Sequence, residues 1–293
     1  MHILLPLLAA AVVSSKPVVQ VGGGSAVYQQ SRPSGYEQAR QAELAKRQLW
    51  KQNDSRYLEA SVLMNVKADE FVAVFAVSLE RKTLSEARTA MDDTMRSFAQ
   101  GLSSLKLAGE DSYVDFVAQN RVYGYEDIGN NTLRETLAGF EVKKNFSVRY
   151  GKKETLDTLI EAAAKADVFD LVKVDYIVND TAQVQSKLME EAAKVIKRRA
   201  IEVEKLFDLG TLRFTQVLPP QFSVYYPTEM YDAYVAQETE NVYTYRTDRT
   251  IINARKAKSF FYRGLDGKDF DTVIGPGLVE PMVQFTVYVR VQY

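Results

Sequence analysis

The chain has 293 residues, enough for one large domain or two small ones around a sizeable core. Hydrophobic content is 46% and charged content 26%, and 37 Lys+Arg against 38 Asp+Glu leave a net charge of −1, which removes any global attraction to nucleic acid or anionic lipid. With no cysteine and a single histidine, His2, disulfides, thiolate nucleophiles, Cys-ligated metals and most imidazole chemistry are excluded.

Residues 3–13 form an apolar run that ends in small residues. Its length suits the core of a secretory signal and is too short to span a bilayer. Residues 1–15 are read as a signal peptide, although no Lys or Arg precedes the run; the competing reading is a buried N-terminal strand. Residues 16–55 read as a flexible leader and an N-terminal helical arm. The leader holds Gly22, Gly23 and Gly24, but no Lys-Ser/Thr follows to make a phosphate cradle. The arm helix covers residues 37–51 and is rich in Ala, Gln, Glu, Arg and Lys, with few apolar positions. Such an arm suits packing on a neighbouring subunit.

The folded body is expected over residues 56–293. Residues 57–66 and 71–79 read as strands, the second apolar at nearly every position and therefore central. Thr83 and Glu86 form a capping box that opens a helix to about Lys106, with Ala87, Met91, Met95, Phe98 and Leu102 as its buried stripe. Residues 112–209 organise the body as strand, turn, strand, helix, strand, long helix. Tyr113, Phe116, Val117, Val122, Tyr123 and Tyr125 make residues 112–125 a strand. Residues 126–131 form a turn, and residues 136–150 form a strand in which Phe146, Val148 and Tyr150 point one way. A helix over 153–165 buries Leu156, Leu159, Ile160 and Ala163, and a strand follows at 171–178. The long helix over 181–209 is capped by Asp180 or Thr181 and stopped by Gly210. Its stripe runs through Val184, Leu188, Ala192, Val195, Arg199, Val203 and Leu206. Its basic run Lys194, Lys197, Arg198 and Arg199 is interleaved with acids and reads as a salt-bridged face, not a phosphate site.

A strand is expected at 212–217. Residues 219–278 then form a tyrosine-rich excursion with Tyr225, Tyr226, Tyr231, Tyr234, Tyr243, Tyr245 and Tyr262. An excursion of this length is either a self-packed subdomain or a contact surface for protein or glycan. Within it, residues 266–271 read as a turn in preference to a calcium loop, since the EF-hand ligand order is missing. The last strand alternates strictly from Val283 to Val291 and is expected to close a half-exposed sheet. The fold class is α+β, a mostly antiparallel sheet packed by two to three helices, one of them long, with a C-terminal closing strand.

This layout resembles the SIMPL-domain family, which includes the bacterial periplasmic immunogenic proteins. The likeness is carried by the strand pair joined at Lys67, Ala68 and Asp69, and by Ser85, Glu86, Ala87 and Met91 on the first body helix. It continues in the strand–helix–strand series over 140–179, the Leu188-x-x-x-Ala192 opening of the long helix, and the Val/Thr/Tyr-rich final strand. The tyrosine-rich excursion and the N-terminal arm stand outside the family pattern. The resemblance implies an α+β domain of the cell envelope without established catalysis, some relatives being ring- or channel-shaped homo-oligomers or linked to stress tolerance. It brings no catalytic residues.

The expectation is a non-enzymatic periplasmic or secreted protein acting as a homo-oligomer, without an integral membrane span and without nucleic-acid, metal or cofactor binding. The alternative is a glycan- or ligand-binding module built on the tyrosine-rich excursion. A carboxylate enzyme needs two carboxyl groups roughly 5–10 Å apart. Glu126, Asp127, Asp92 and Asp93 are candidates, but Asp92 and Asp93 are adjacent on a helix and diverge. No residue is singled out as catalytic, cofactor-binding or metal-binding. Asn-x-Ser/Thr matches at Asn53, Asn130, Asn145 and Asn179 would matter only in a eukaryotic secreted protein. Deleting residues 285–293 is expected to unfold the body; a truncated protein that keeps a cooperative melt near the parent temperature would contradict this.

Overall fold

The structure, a computed structural model, describes residues 35–48, 56–107, 111–234, 259–277 and 279–293. The expected signal peptide, the leader before residue 35, the end of the arm helix at 49–51, and Tyr243 and Tyr245 lie outside the described residues. Two sheets form, not the single one expected around residues 112–209. Strands β1 (Tyr57–Val66) and β2 (Glu70–Arg81) are consecutive in the chain yet belong to different sheets. The three residues between them are too few to do more than redirect the chain.

The first sheet is centred on β11 (Val283–Gln292), paired antiparallel with β1 along ten positions from Tyr57↔Gln292 to Val66↔Val283. On its other side β11 takes β6 (Gln216–Val217) and β7 (Gln221–Tyr225). The outer side of β1 carries β10 (Thr272–Ile274) in parallel, while β8 (Tyr231–Tyr234) and β9 (Ser259–Tyr262) form a separate antiparallel pair. Helix α4 (Thr181–Leu206) lies on one face, where Val184, Leu188, Ala192, Val195 and Ile196 meet Leu58, Ala60, Val62 and the odd-numbered residues of β11. Asp180 caps it by accepting from the Gln183 N–H at 2.8 Å. The helix ends at Phe207, and Asp208 (φ 49°) supplies the left-handed residue, so the expected stop at Gly210 comes two residues early. Leu209 N–H then donates to the Glu204 carbonyl at 3.0 Å. Of the expected strand over 212–217, only Gln216–Val217 forms.

The second face of this sheet corrects the expectation of a half-exposed terminus. Every residue from Val283 to Val291 is buried. Gln284, Thr286 and Arg290, polar by alternation, are satisfied by chain brought over them. Helix α1 (Gly35–Gln48) sets Glu43 to accept from Thr286 Oγ1 at 3.0 Å and from the Tyr225 hydroxyl at 2.7 Å. Burial, with the Glu43 carboxylate alongside, pushes the Tyr225 phenol above its usual value. Gln284 Nε2 donates to Asn65 Oδ1 at 2.9 Å, and its Oε1 accepts from the Leu265 N–H. Arg290 pairs with Glu59 and lies over the Tyr57 ring at 4.4 Å. The arm helix thus docks on its own chain, with Tyr36 and Ala39 against Leu63, Met230 and Leu265.

The second sheet has the order β3-β4-β2-β5, all antiparallel, with β3 (Ser112–Asp127), β4 (Leu133–Tyr150) and β5 (Asp170–Ile177). As its apolar sequence suggests, β2 is central. Helix α2 (Leu84–Ser104) starts at the Thr83–Glu86 capping box and buries the expected stripe of Ala87, Met91, Met95, Phe98 and Leu102. Phe98 meets Phe75 and Phe146 edge-on at 5.2 and 4.8 Å. Helix α3 (Thr155–Lys165) adds Leu159 and Ala163 to this core, while Ile160, expected on the same face, is 42% exposed. The two halves have separate apolar cores. Glu280 bridges Lys67 at 2.8 Å and Lys153 at 3.2 Å across the joint between them.

Glu43 is the polar anchor of the arm helix. Glu43→Ala removes the acceptor of the buried Thr286 hydroxyl and of the half-buried Tyr225 hydroxyl and is expected to lower stability by about 1–3 kcal/mol. Glu43→Gln keeps an acceptor oxygen and should lose less in melting temperature. Equal losses would contradict the anchoring role.

Candidate functional site: an uncovered β-hairpin

Strands β3 and β4 run 16 and 18 residues, whereas β2, which supports them, has 12. Pairing between β2 and β4 ends at Arg81↔Phe140. Beyond that point residues 122–139 continue as a two-stranded ribbon with no third strand among the described residues. At its root a Cβ on Gly139 would come within 2.6 Å of the Arg81 carbonyl oxygen, so glycine lets β2 end against the ribbon. The tip is a tight turn in which Thr132 N–H donates to the Gly129 carbonyl at 3.0 Å, with Asn130 and Asn131 at φ 52° and 55°. Positive φ at both central residues is the type I′ geometry, whose twist matches the flanking strands. Asp127 Oδ1 accepts from Gly129 N–H at 2.8 Å and fixes the approach.

The ribbon is amphipathic. On one face the register sets Tyr123 opposite Leu137, Tyr125 opposite Glu135 and Asp127 opposite Leu133, so four large apolar side chains share it with two carboxylates. The other face carries Gly124, Glu126, Arg134 and Thr136. Tyr125 is 73% exposed and Leu133 62%, and Tyr123 and Leu137 are about half exposed. On the body of the sheet the same face of β3 carries Val114 and Phe116, separated from Tyr123 by Gln119 and Arg121. Val114 and Phe116 lie on the side that faces α2, but α2 covers only β2 and β4, so both remain exposed. A cavity of about 200 Å³ remains beside α2, lined by Arg88, Met91, Phe116, Gln119 and Val142 among others. Strand β3 is an edge strand, and its outer N–H and C=O groups have no strand partner among the described residues.

The carboxylates weighed as enzymatic candidates are engaged elsewhere or apart. Asp92 pairs with Lys144 at 2.9 Å, and Asp93 with Arg96 at 2.8 Å. Asp127 caps the ribbon turn, and Glu126 lies across from Arg134. Ser78 and then Lys143 hold the Glu141 carboxyl below its usual value, but Glu141 sits on an open sheet face. The basic run on α4 is salt-bridged as expected: Lys194 meets Glu190 and Glu191 at 3.0 and 2.7 Å. Arg199 turns inward to Asp271. The 266–271 segment is a turn in which Asp266 caps the Lys268 N–H at 3.0 Å, and Asp271 accepts from Ser61. Among the described residues there is no group of three or more acidic side chains placed to hold a metal. No described helix is long and apolar enough to cross a membrane.

The described tyrosines of the excursion are partly used by their own chain. Tyr262 donates to the Met282 carbonyl at 3.0 Å and meets the Tyr231 ring edge-on at 5.9 Å. Tyr225 is held by Glu43. The uncovered hairpin was not singled out in the sequence. Its signal was present, however: two facing apolar strands several residues longer than their neighbour, with only Asp115 and Arg121 as charges on the first fourteen residues.

Two sheets with separate helix layers, built on a terminal strand that pairs with the first strand of the body, define an α+β protein. The chain belongs to the SIMPL family, a protein family of unknown function (DUF541), whose model matches residues 58–291. That match spans both halves. No curated protein matches the chain. One solved structure, described as the crystal structure of AtUAH in complex with (S)-hydroxyglycine, is similar at 14% identity. The match covers 47% of this chain and 34% of that one, with a TM-score of 0.18, and carries no argument about function.

Proposed function

We propose that this chain is a non-enzymatic protein of the cell envelope, periplasmic or secreted, that works through self-assembly. The observation that carries the proposal is the ribbon of residues 122–139. A two-stranded hairpin is marginal in water unless its apolar face is covered. A long open edge strand with apolar side chains also invites pairing with another chain. Here both features occur together on one element, with Tyr123, Tyr125, Leu133 and Leu137 on one face. The apolar leader at residues 3–13 supports export, and the near-absence of imidazole and the absence of thiol support a role other than turnover.

Magnitudes favour an assembly with more than the ribbon in its contact. Full burial of a large apolar side chain contributes about 1.5–3 kcal/mol, so four half-exposed ones offer roughly 3–6 kcal/mol. Association costs about 4–15 kcal/mol before any surplus appears. Native mass measurement on the mature chain is expected to give a defined multiple of the monomer. The double variant Tyr125→Lys, Leu133→Lys should shift that mass toward monomer with an unchanged melt of the body. A wild-type chain that is strictly monomeric at micromolar concentration would overturn the proposal.

A further inference from the structure

The cavity of about 200 Å³ beside α2 is left open between that helix and β3. Its floor is apolar. Met91 on α2 and Val142 on β4 are buried, and Phe116 on β3 walls it while 60% exposed. The register orders its rim, with Gln119 opposite Val142 and Phe116 opposite Lys144. Helix α2 follows β2 after Arg81, whose partner is Phe140, and has reached Lys144 by Asp92, which pairs with it at 2.9 Å. Arg88 is one turn earlier on the same side of the helix and so stands at the Val142 and Gln119 end. One end of the cavity is closed by an ion pair, and the other carries a guanidinium and an amide. Neither the Arg88 nor the Gln119 side chain makes a hydrogen bond or ion pair among the described residues.

We infer that this cavity binds a small monocarboxylate, its carboxylate on Arg88 and Gln119 and its short apolar body over Met91, Val142 and Phe116. Volume sets the size of the body. At about 30 Å³ for each water-sized group, the cavity holds roughly six or seven non-hydrogen atoms. Chemistry sets the head group. Small-molecule sites are mostly apolar with a few placed polar groups. A guanidinium fork matches a carboxylate, and the Gln119 amide adds an N–H donor. The local charge agrees. The lining carries Arg88 and Lys144 against Asp92, and Arg121 follows Gln119 on the same face of β3. Asp115 and Glu141 lie on the opposite face of the sheet. On α2, Asp93 holds Arg96 at 2.8 Å, and Glu86 accepts from the Thr83 N–H at 3.2 Å. A cationic ligand would meet this positive surplus and is disfavoured.

Other recesses lack this combination. The one beside Tyr36, about 480 Å³, is lined by Arg263 and Asn65, which Asp232 and the Pro276 carbonyl already engage. The one at the joint between the halves, about 320 Å³, contains its own carboxylate, since Glu280 lies between Lys67 and Lys153. The groove between α2 and α3, about 160 Å³, is lined mainly by small and hydroxyl side chains such as Ser97, Gly101, Thr158 and Ala162. The cavity beside α2 also stops short of the ribbon of residues 122–139, so its ligand and the self-assembly surface use different side chains.

Met91 in the floor gives a direct readout. The full chain, labelled with carbon-13 at its methionine methyls, is titrated with hexanoate, hexan-1-ol and hexylammonium, the Met91 resonance being assigned with Met91→Leu. Hexanoate is expected to shift the Met91 methyl saturably, with a Kd on the order of 0.1–1 mM. The alcohol and the ammonium should bind about tenfold more weakly. Arg88→Gln should bring hexanoate to the level of the alcohol and leave the alcohol unchanged, and Phe116→Ser should weaken both. Arg88 and Phe116 are exposed, so both variants are expected to keep the parent melt. No saturable shift at Met91, equal binding of the three compounds, or a hexanoate affinity unchanged by Arg88→Gln would each overturn the site. An oligomeric native mass alongside any of those results would leave self-assembly standing.

Discussion

The ten-pair ladder between β1 and β11 is the constraint on which the described structure rests, because it joins the first strand of the body to its last. Once β11 is central, its alternation requires two different covers. The valine and phenylalanine side takes α4, whose stripe matches it in length. The Gln284, Thr286 and Arg290 side is closed by polar partners drawn from α1, Asn65, Leu265 and Glu59. Buried polar groups of this kind are tolerated only when each finds a partner. The N-terminal arm and the end of the excursion are therefore part of the fold and not appendages to it.

The second half is built on the opposite plan. Its core between β2, β4, α2 and α3 is closed, with Phe75, Phe98 and Phe146 interlocked. Its outer hairpin is not. Two strands leave their support at Arg81 and continue with aromatic and leucine side chains in solvent. A chain that takes such care to satisfy Gln284 and Thr286 leaves Tyr125 and Leu133 bare. Natural edge strands usually guard against pairing with charge, proline or a bulge. Here β3 has no proline, though its register with β4 shifts at Val117 and beside Val122 and it carries Asp115, Arg121, Glu126 and Asp127. That contrast between the halves is the physical basis for reading the hairpin as an assembly surface.

Much of the fold was legible in the sequence. The Thr83–Glu86 capping box, the α2 stripe, the Asp180 cap and the 266–271 turn are local chemistry, and each appears where its residues imply. What periodicity does not carry is how far a neighbouring element extends. Ile160 and Leu206 fit their helical stripes and are nevertheless exposed. Gln284 and Thr286 fit a solvent face and are buried because residues some 240 positions earlier, and others about 20 away, return to cover them. The split into two sheets is invisible for the same reason, since residues 67–69 read equally well as a hairpin turn. The hairpin went unrecognised as a site because apolar residues on both parities of 112–125 look like a buried strand.

The most direct measurement of the central claim is hydrogen exchange in the 112–127 segment of the intact mature chain as a function of protein concentration. If the hairpin is covered by another copy, its amides exchange slowly at micromolar concentration and speed up on dilution, while β11 amides stay slow throughout. Exchange in 112–127 that is fast and unchanged across the whole concentration range would contradict the account.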